Sequence, residues 1–128
     1  MTILIYCLLV ALILPFVAKA PVAFAMNKDG GYDNKHPRAQ QAQLIGFGAR
    51  ALAAHQNAFE SLVVFAPAIL LAIATNHTGH TIQYLAITHI LARVAYQIFY
   101  LLNWDKLRST VWAIGLIACF AIVWQCLP

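Results

Sequence analysis

The segment Arg50-Ala-Leu-Ala-Ala-His-Gln-Asn-Ala-Phe-Glu60 sets an arginine, an asparagine and a glutamate among stretches of Ile, Leu, Val and Phe. Charged groups at membrane depth cost several kcal/mol unless paired or wetted, so such a cluster reads first as a functional site. On a helix, 3.6 residues per turn brings positions 50, 53, 57 and 60 onto one stripe. Arg50, Asn57 and Glu60 then point the same way, and Ala53 leaves room between them. His55 points elsewhere, as an interhelical hydrogen-bonder. A cation, an amide and an anion on one stripe suit a small zwitterion. The competing reading is a polar network that only joins helices, where each intramembrane hydrogen bond is worth about 1 kcal/mol or less. A charged pair is a costly form of glue.

A second stripe, His89, Arg93, Tyr96 and Tyr100, runs at spacings of four, three and four. Counting back from the 76–81 turn at 1.5 Å per residue puts Arg93 about 16 Å deep and Glu60 about 24 Å deep. An arginine side chain bridges that difference, so a Glu60–Arg93 contact is expected that would relieve both buried charges. Arg93 then serves as a counter-ion, as a ligand for something bound, or as both. A third group, Asp105-Lys-Leu-Arg108-Ser109, opens the last apolar segment. Ser109 is a natural N-cap there. A helix N-terminus beside an arginine also stabilises an anion, and it can draw a thiol's pKa from about 8.5 toward neutrality.

Other chemistry is thin. His77 and His80 share a turn but have no carboxylate or Cys partner, which is a weak metal signal. Cys7, Cys119 and Cys126 all lie in apolar segments without a Cys-x-x-Cys pair, and read as small buried hydrophobes. No Gly-rich phosphate loop, Ser-His-Asp set or Cys-based nucleophile is visible.

The elements that must carry these groups are membrane helices. Hydrophobic residues make up 62% of the chain and charged residues 9%, far outside soluble composition. A span needs about 20 apolar residues. Four segments qualify, near 2–26, 40–75, 82–103 and 109–127, so the fold expected is an all-α, four-helix transmembrane bundle of the left-handed type, a single domain over 1–128. The first segment lacks a basic start, and Pro21 follows Ala18-Lys19-Ala20 where a signal would be cut, so it reads as a retained span. Pro15 and Pro21 predict a kink near its end. From Arg38 to Asn76 only Pro67 interrupts a helical pattern, which predicts one rod of about 55 Å, longer than a hydrocarbon core of about 30 Å.

The net charge of +4 is divided between loops and forms no basic patch, which argues against nucleic acid. Lys28, Lys35 and Arg38 lie between the first two spans, and Lys106 and Arg108 between the last two; the 76–81 turn has no Lys or Arg. Loops 27–38 and 104–108 are therefore expected in the cytoplasm and both termini outside. Trp104 and Trp112 would bracket the inner interface and Trp124 the outer one.

The stretch Arg50-x-x-Ala-Ala-His-Gln-Asn-x-x-Glu60 resembles the second-helix motif of the MAPEG family, membrane-associated proteins in eicosanoid and glutathione metabolism. Arg93-Val-Ala-Tyr-x-x-x-Tyr100 and Leu107-Arg108-Ser109 look like its other two signatures. His36-Pro37-Arg38 is similar to the Asn-Pro-Arg of bacterial members, which implies a bacterial inner membrane. The resemblance covers essentially the whole chain. It implies a homotrimer of four-helix subunits with glutathione held between neighbours near the cytoplasmic side. Arg38, Arg50, Asn57, Glu60, Arg93 and Tyr100 would then bind glutathione, and Arg108 with Ser109 would stabilise its thiolate for attack on a lipophilic small molecule from the bilayer. The sequence also departs from the pattern. Ala53 and Gln56 stand where glutathione-using members have arginines, Tyr96 where they commonly have histidine or another polar residue, and Trp112 near a tyrosine of some members. Two activities follow: a glutathione transferase or peroxidase, or a non-catalytic scaffold that kept the fold and lost tight glutathione binding. A small transporter or proton relay is a third class, for which four spans and one buried acid make a thin pathway.

Overall fold

The computed structural model describes all 128 residues and contains only helices: α1 (Thr2–Lys28), α2 (Pro37–Ala42), α3 (Phe47–Ala74), α4 (His80–Leu101) and α5 (Asp105–Gln125). α3 is the central element and packs against every other helix; α1 lies along α3, and α5 along α4. The main apolar cluster joins Leu4, Cys7 and Ala11 of α1 to Phe65 and Ile69 of α3, Ile82 and Ala86 of α4, and Cys119 and Ile122 of α5. The starts of α1 and α4 therefore share one end of the bundle with the finishes of α3 and α5. A smaller cluster, Val22, Met26 and Ala51, closes the opposite end. The polar residues of α3 and α4 lie between the two.

Helices α1, α3 and α5 are each long and apolar enough to cross a membrane. α4, over the expected span 82–103, does not reach that apolarity, because Gln83, His89, Arg93 and Gln97 interrupt it. Its polarity is turned inward. His89, Arg93 and Tyr96 are buried, whereas Tyr84, Ile87, Leu91, Val94 and Ile98 form the exposed face. An apolar outside around a polar inside is the reverse of a soluble bundle.

The single rod expected from Arg38 to Asn76 is not formed. The chain breaks at Gln43–Gly46 into the short α2 and the long α3. Gly46 sits at φ +55°, ψ −123° as the N-cap of α3, a backbone conformation that an L side chain resists. Gly48 then passes so close to α1 that a Cβ there would lie 3.1 Å from the Ala25 Cβ. The helical pattern of residues 38–46 was real, but glycine's freedom allowed a corner that brings α3 against α1. Gly46→Ala should therefore lower stability by about 1–2 kcal/mol, read as a lower melting temperature in detergent. An unchanged transition would mean that the corner carries no such constraint.

Pro37 does occupy the first turn of α2. The preceding loop is braced by Gln40, whose Nε2 donates to the carbonyls of Gly31 (2.8 Å) and Met26 (3.1 Å) while its Oε1 accepts the Asp33 N–H (2.9 Å). The last helix also starts earlier than the sequence suggested. Asn103, at φ +61°, turns the chain, and Asp105 in the first turn of α5 complements the helix dipole. Ser109 thus lies inside α5 and is not its N-cap. Arg108 already spends its backbone N–H on the Trp104 carbonyl at 2.9 Å.

Candidate functional site

Helical spacing does place Asn57 and Glu60 side by side, but Arg93 meets Asn57 and not Glu60 as expected. Arg93 Nη2 donates to Asn57 Oδ1 at 2.6 Å and to the Asn57 carbonyl at 3.3 Å. Asn57 Nδ2 in turn donates to Glu60 Oε2 at 2.7 Å. The amide is thus oriented by chemistry, since only its oxygen can accept from a guanidinium and only its nitrogen can donate to a carboxylate. No direct Glu60–Arg93 ion pair forms, because Asn57, one turn nearer, intercepts the arginine. Arg93 is 3% exposed and its Nε has no partner. Glu60 is exposed at the edge of the array. An orphaned buried donor at one end and an open carboxylate at the other match the two ends of a zwitterion.

Arg93 continues into an aromatic ladder along α4. Its guanidinium lies 4.1 Å from the centre of the Tyr96 ring. Tyr96 meets Tyr100 edge-to-face at 5.5 Å, and the Arg108 guanidinium covers Tyr100 at 4.3 Å. Stacking on rings holds both cations without neutralising them. Tyr100 and Arg108 thereby join Arg93 in one connected array, with Ser109 beside them on the exposed surface of α5.

Two expected residues lie elsewhere. Arg50 turns to the end of α4, where Nη2 donates to the Leu101 carbonyl at 3.5 Å and Nε is buried without a partner. A cation at a helix C-terminus is favourable, and that carbonyl competes with the Asn57–Glu60 stripe for Arg50. Arg38 is exposed on α2 and makes no side-chain hydrogen bond to this array. His55 acts as foreseen, with Nδ1 donating to the Pro15 carbonyl of α1 at 2.8 Å.

The array borders a cavity of about 160 Å³ between α3, α4 and α5, walled by Val64, Trp112 and Leu116 and edged by Asn57, Glu60, Ser61, His89, Arg93 and Cys119. Sequence reasoning left Ser61 and Cys119 out of the site and gave His89 no role there. The signal was available for two of them: Ser61 is four residues from Asn57, and His89 four from Arg93, so each repeats its neighbour's face one turn on. Cys119 could not be found this way, since α5 has no polar pattern to mark its inner side.

The sequence model of the MAPEG family matches residues 3–128. The chain belongs to the MAPEG family. Membership together with three helices able to cross a bilayer makes it a multi-pass integral membrane protein. MAPEG proteins generally bind glutathione as a substrate or cofactor. No curated protein and no solved structure matches the chain. The Glu60–Asn57–Arg93 array leaves the buried Arg93 Nε without a partner and the Glu60 carboxylate exposed.

Proposed function

We propose that this protein is a membrane-bound, glutathione-dependent transferase or peroxidase acting on lipophilic electrophiles. The observation that carries the reading is the array beside the cavity, with the buried Arg93 Nε unpartnered and Glu60 exposed. In this reading Arg93 receives a glutathione carboxylate, Glu60 its ammonium, and Tyr100 closes the site. Arg108 holds negative charge on the sulfur, a charge stabilised where water is scarce. Ser109 stands beside it as a donor. The outward-facing apolar stripe of α4 supports its role as a fourth span, since 22 residues cover about 33 Å. The cavity is smaller than the 300–1,000 Å³ or so of a typical ligand pocket, which supports completion of the site by a neighbouring subunit in a homotrimer. Arg38 and Arg50 bind glutathione only if they reach a neighbour's site. In this arrangement the basic loops face the cytoplasm of a bacterial inner membrane.

The test is conjugation of glutathione to a chlorodinitrobenzene by protein purified in detergent. Wild type should exceed the buffer rate. Arg108→Ala should be about tenfold slower, corresponding to roughly one pKa unit of lost thiolate stabilisation. A wild-type rate equal to buffer would overturn the reading.

A second reading, a scaffold without tight glutathione binding, is favoured by one observation. Arg50 is engaged with Leu101, and Ala53 and Gln56 add no charge to the stripe. Calorimetry decides between them: binding weaker than about 1 mM, or some −4 kcal/mol, supports the scaffold.

A further inference from the structure

Three further polar groups meet in the wall of the cavity that the Glu60–Asn57–Arg93 array borders. His89, 3% exposed, sits with Nδ1 at 2.9 Å from the Gly115 carbonyl of α5 and Nε2 at 3.3 Å from Ser61 Oγ of α3. A carbonyl can only accept, so in the neutral ring Nδ1 carries the hydrogen and Nε2 is a bare lone pair. Cys119 Sγ, 3.1 Å from the same Nδ1, can share that hydrogen as a second acceptor. The Ser61 hydroxyl is left to donate to Nε2. Phe65 stacks on the imidazole at 4.1 Å, nearly parallel, and fixes its plane.

Ser61 departs from Thr110 in α5 and from Thr75 at the C-cap of α3. Thr75 and Thr110 each donate to the carbonyl four residues back, at 2.8 Å and 2.9 Å, the usual outlet for a hydroxyl inside a helix. For Ser61 that carbonyl belongs to Asn57 and already accepts from Arg93. The hydroxyl turns instead to His89, and its lone pairs are left free toward the cavity it lines. A hydroxyl on a bare imidazole nitrogen, with the other nitrogen anchored by a third group, is the arrangement of an activated nucleophile. The distance of 3.3 Å suits a site without substrate, where such bonds are often long.

We propose that Ser61 is a nucleophile, activated by His89, toward lipophilic carboxylic or phosphonic esters that enter the cavity from the bilayer. Ser61 Oγ attacks the acyl carbon while its proton passes to His89 Nε2. Arg93 lines the same cavity, and its guanidinium supplies positive charge to the oxyanion. The carbon–oxygen bond to the alcohol breaks, and the alcohol leaves with the proton from Nε2. Water then hydrolyses the acyl-serine, giving the carboxylic acid and restoring the hydroxyl. The apolar wall of Val64, Trp112 and Leu116 selects an alkyl or aryl ester. The reaction consumes no glutathione, and it draws on the same Arg93 that the proposed glutathione site uses.

The experiment treats detergent-purified protein with an alkyl fluorophosphonate, where the phosphorus–oxygen bond to Ser61 forms, fluoride leaves and the proton passes to His89. Peptide mass mapping should find one adduct per chain on Ser61, none in Ser61→Ala, and labelling about 100-fold slower in His89→Gln. Wild type left unmodified at Ser61, or His89→Gln labelled as fast as wild type, overturns the proposal. Should His89→Gln fail to fold, the wild type decides alone: a burst of one p-nitrophenolate per chain from a long-chain p-nitrophenyl ester supports the nucleophile, and a strictly linear release at the buffer rate overturns it.

Discussion

Asn57→Ala should destabilise the protein by about 2–3 kcal/mol, far more than Glu60→Gln. Asn57 supplies the 2.6 Å bond to the buried Arg93 guanidinium, and hydrogen bonds to charged groups are worth about 1.5–3 kcal/mol. Its removal leaves Arg93 with only the longer bond to the Asn57 backbone carbonyl at 3.3 Å, beside an Nε that already lacks a partner. Glu60 is exposed and touches Asn57 rather than Arg93, so its neutralisation should cost under about 1 kcal/mol. Thermal unfolding in a single detergent checks the order. A larger loss for Glu60→Gln would mean that the carboxylate, and not the amide, compensates Arg93.

Phe65→Ala should cost about 3 kcal/mol. Phe65 is fully buried and joins the main apolar cluster to the His89 ring. In a bilayer the hydrophobic drive between helices is weak, and association rests on close packing. The cost is therefore that of the cavity left behind, which grows with unfilled volume. Phe65→Leu should recover most of it. A loss below about 1 kcal/mol for Phe65→Ala, measured by the same unfolding transition, would show that this end of the bundle repacks freely.

The membrane class, the helical content and the residues of the central array were legible from Arg50–Glu60 and His89–Tyr100, because helical periodicity and the cost of intramembrane charge both act locally. What escaped depends on distant geometry. Gly46 looked like one small residue in a smooth run, and only its positive φ reveals the corner between α2 and α3. Arg50 shared a stripe with Asn57, yet the end of α4 lay within its reach, which no pattern in α3 encodes. The Glu60–Arg93 contact was argued from depth alone, and depth cannot tell which of two neighbours one turn apart an arginine meets first. Ser109 has the chemistry of a cap, but Asn103 and Asp105 set the helix start five residues earlier, with Trp104 at the N-cap. Ser61 and His89 carried a readable spacing whose partner, the Gly115 carbonyl, has no side chain to announce it.

The central claim is that the Glu60–Asn57–Arg93 array binds glutathione, and the glutathione dependence of unfolding tests it most directly. A ligand present about 100-fold above its Kd stabilises the folded state by about 2.7 kcal/mol. Wild type should therefore melt progressively higher as glutathione is raised, whereas Glu60→Gln, nearly as stable without ligand, should lose most of that rise. A wild-type transition that does not move with glutathione, or an equal rise in Glu60→Gln, would contradict the account.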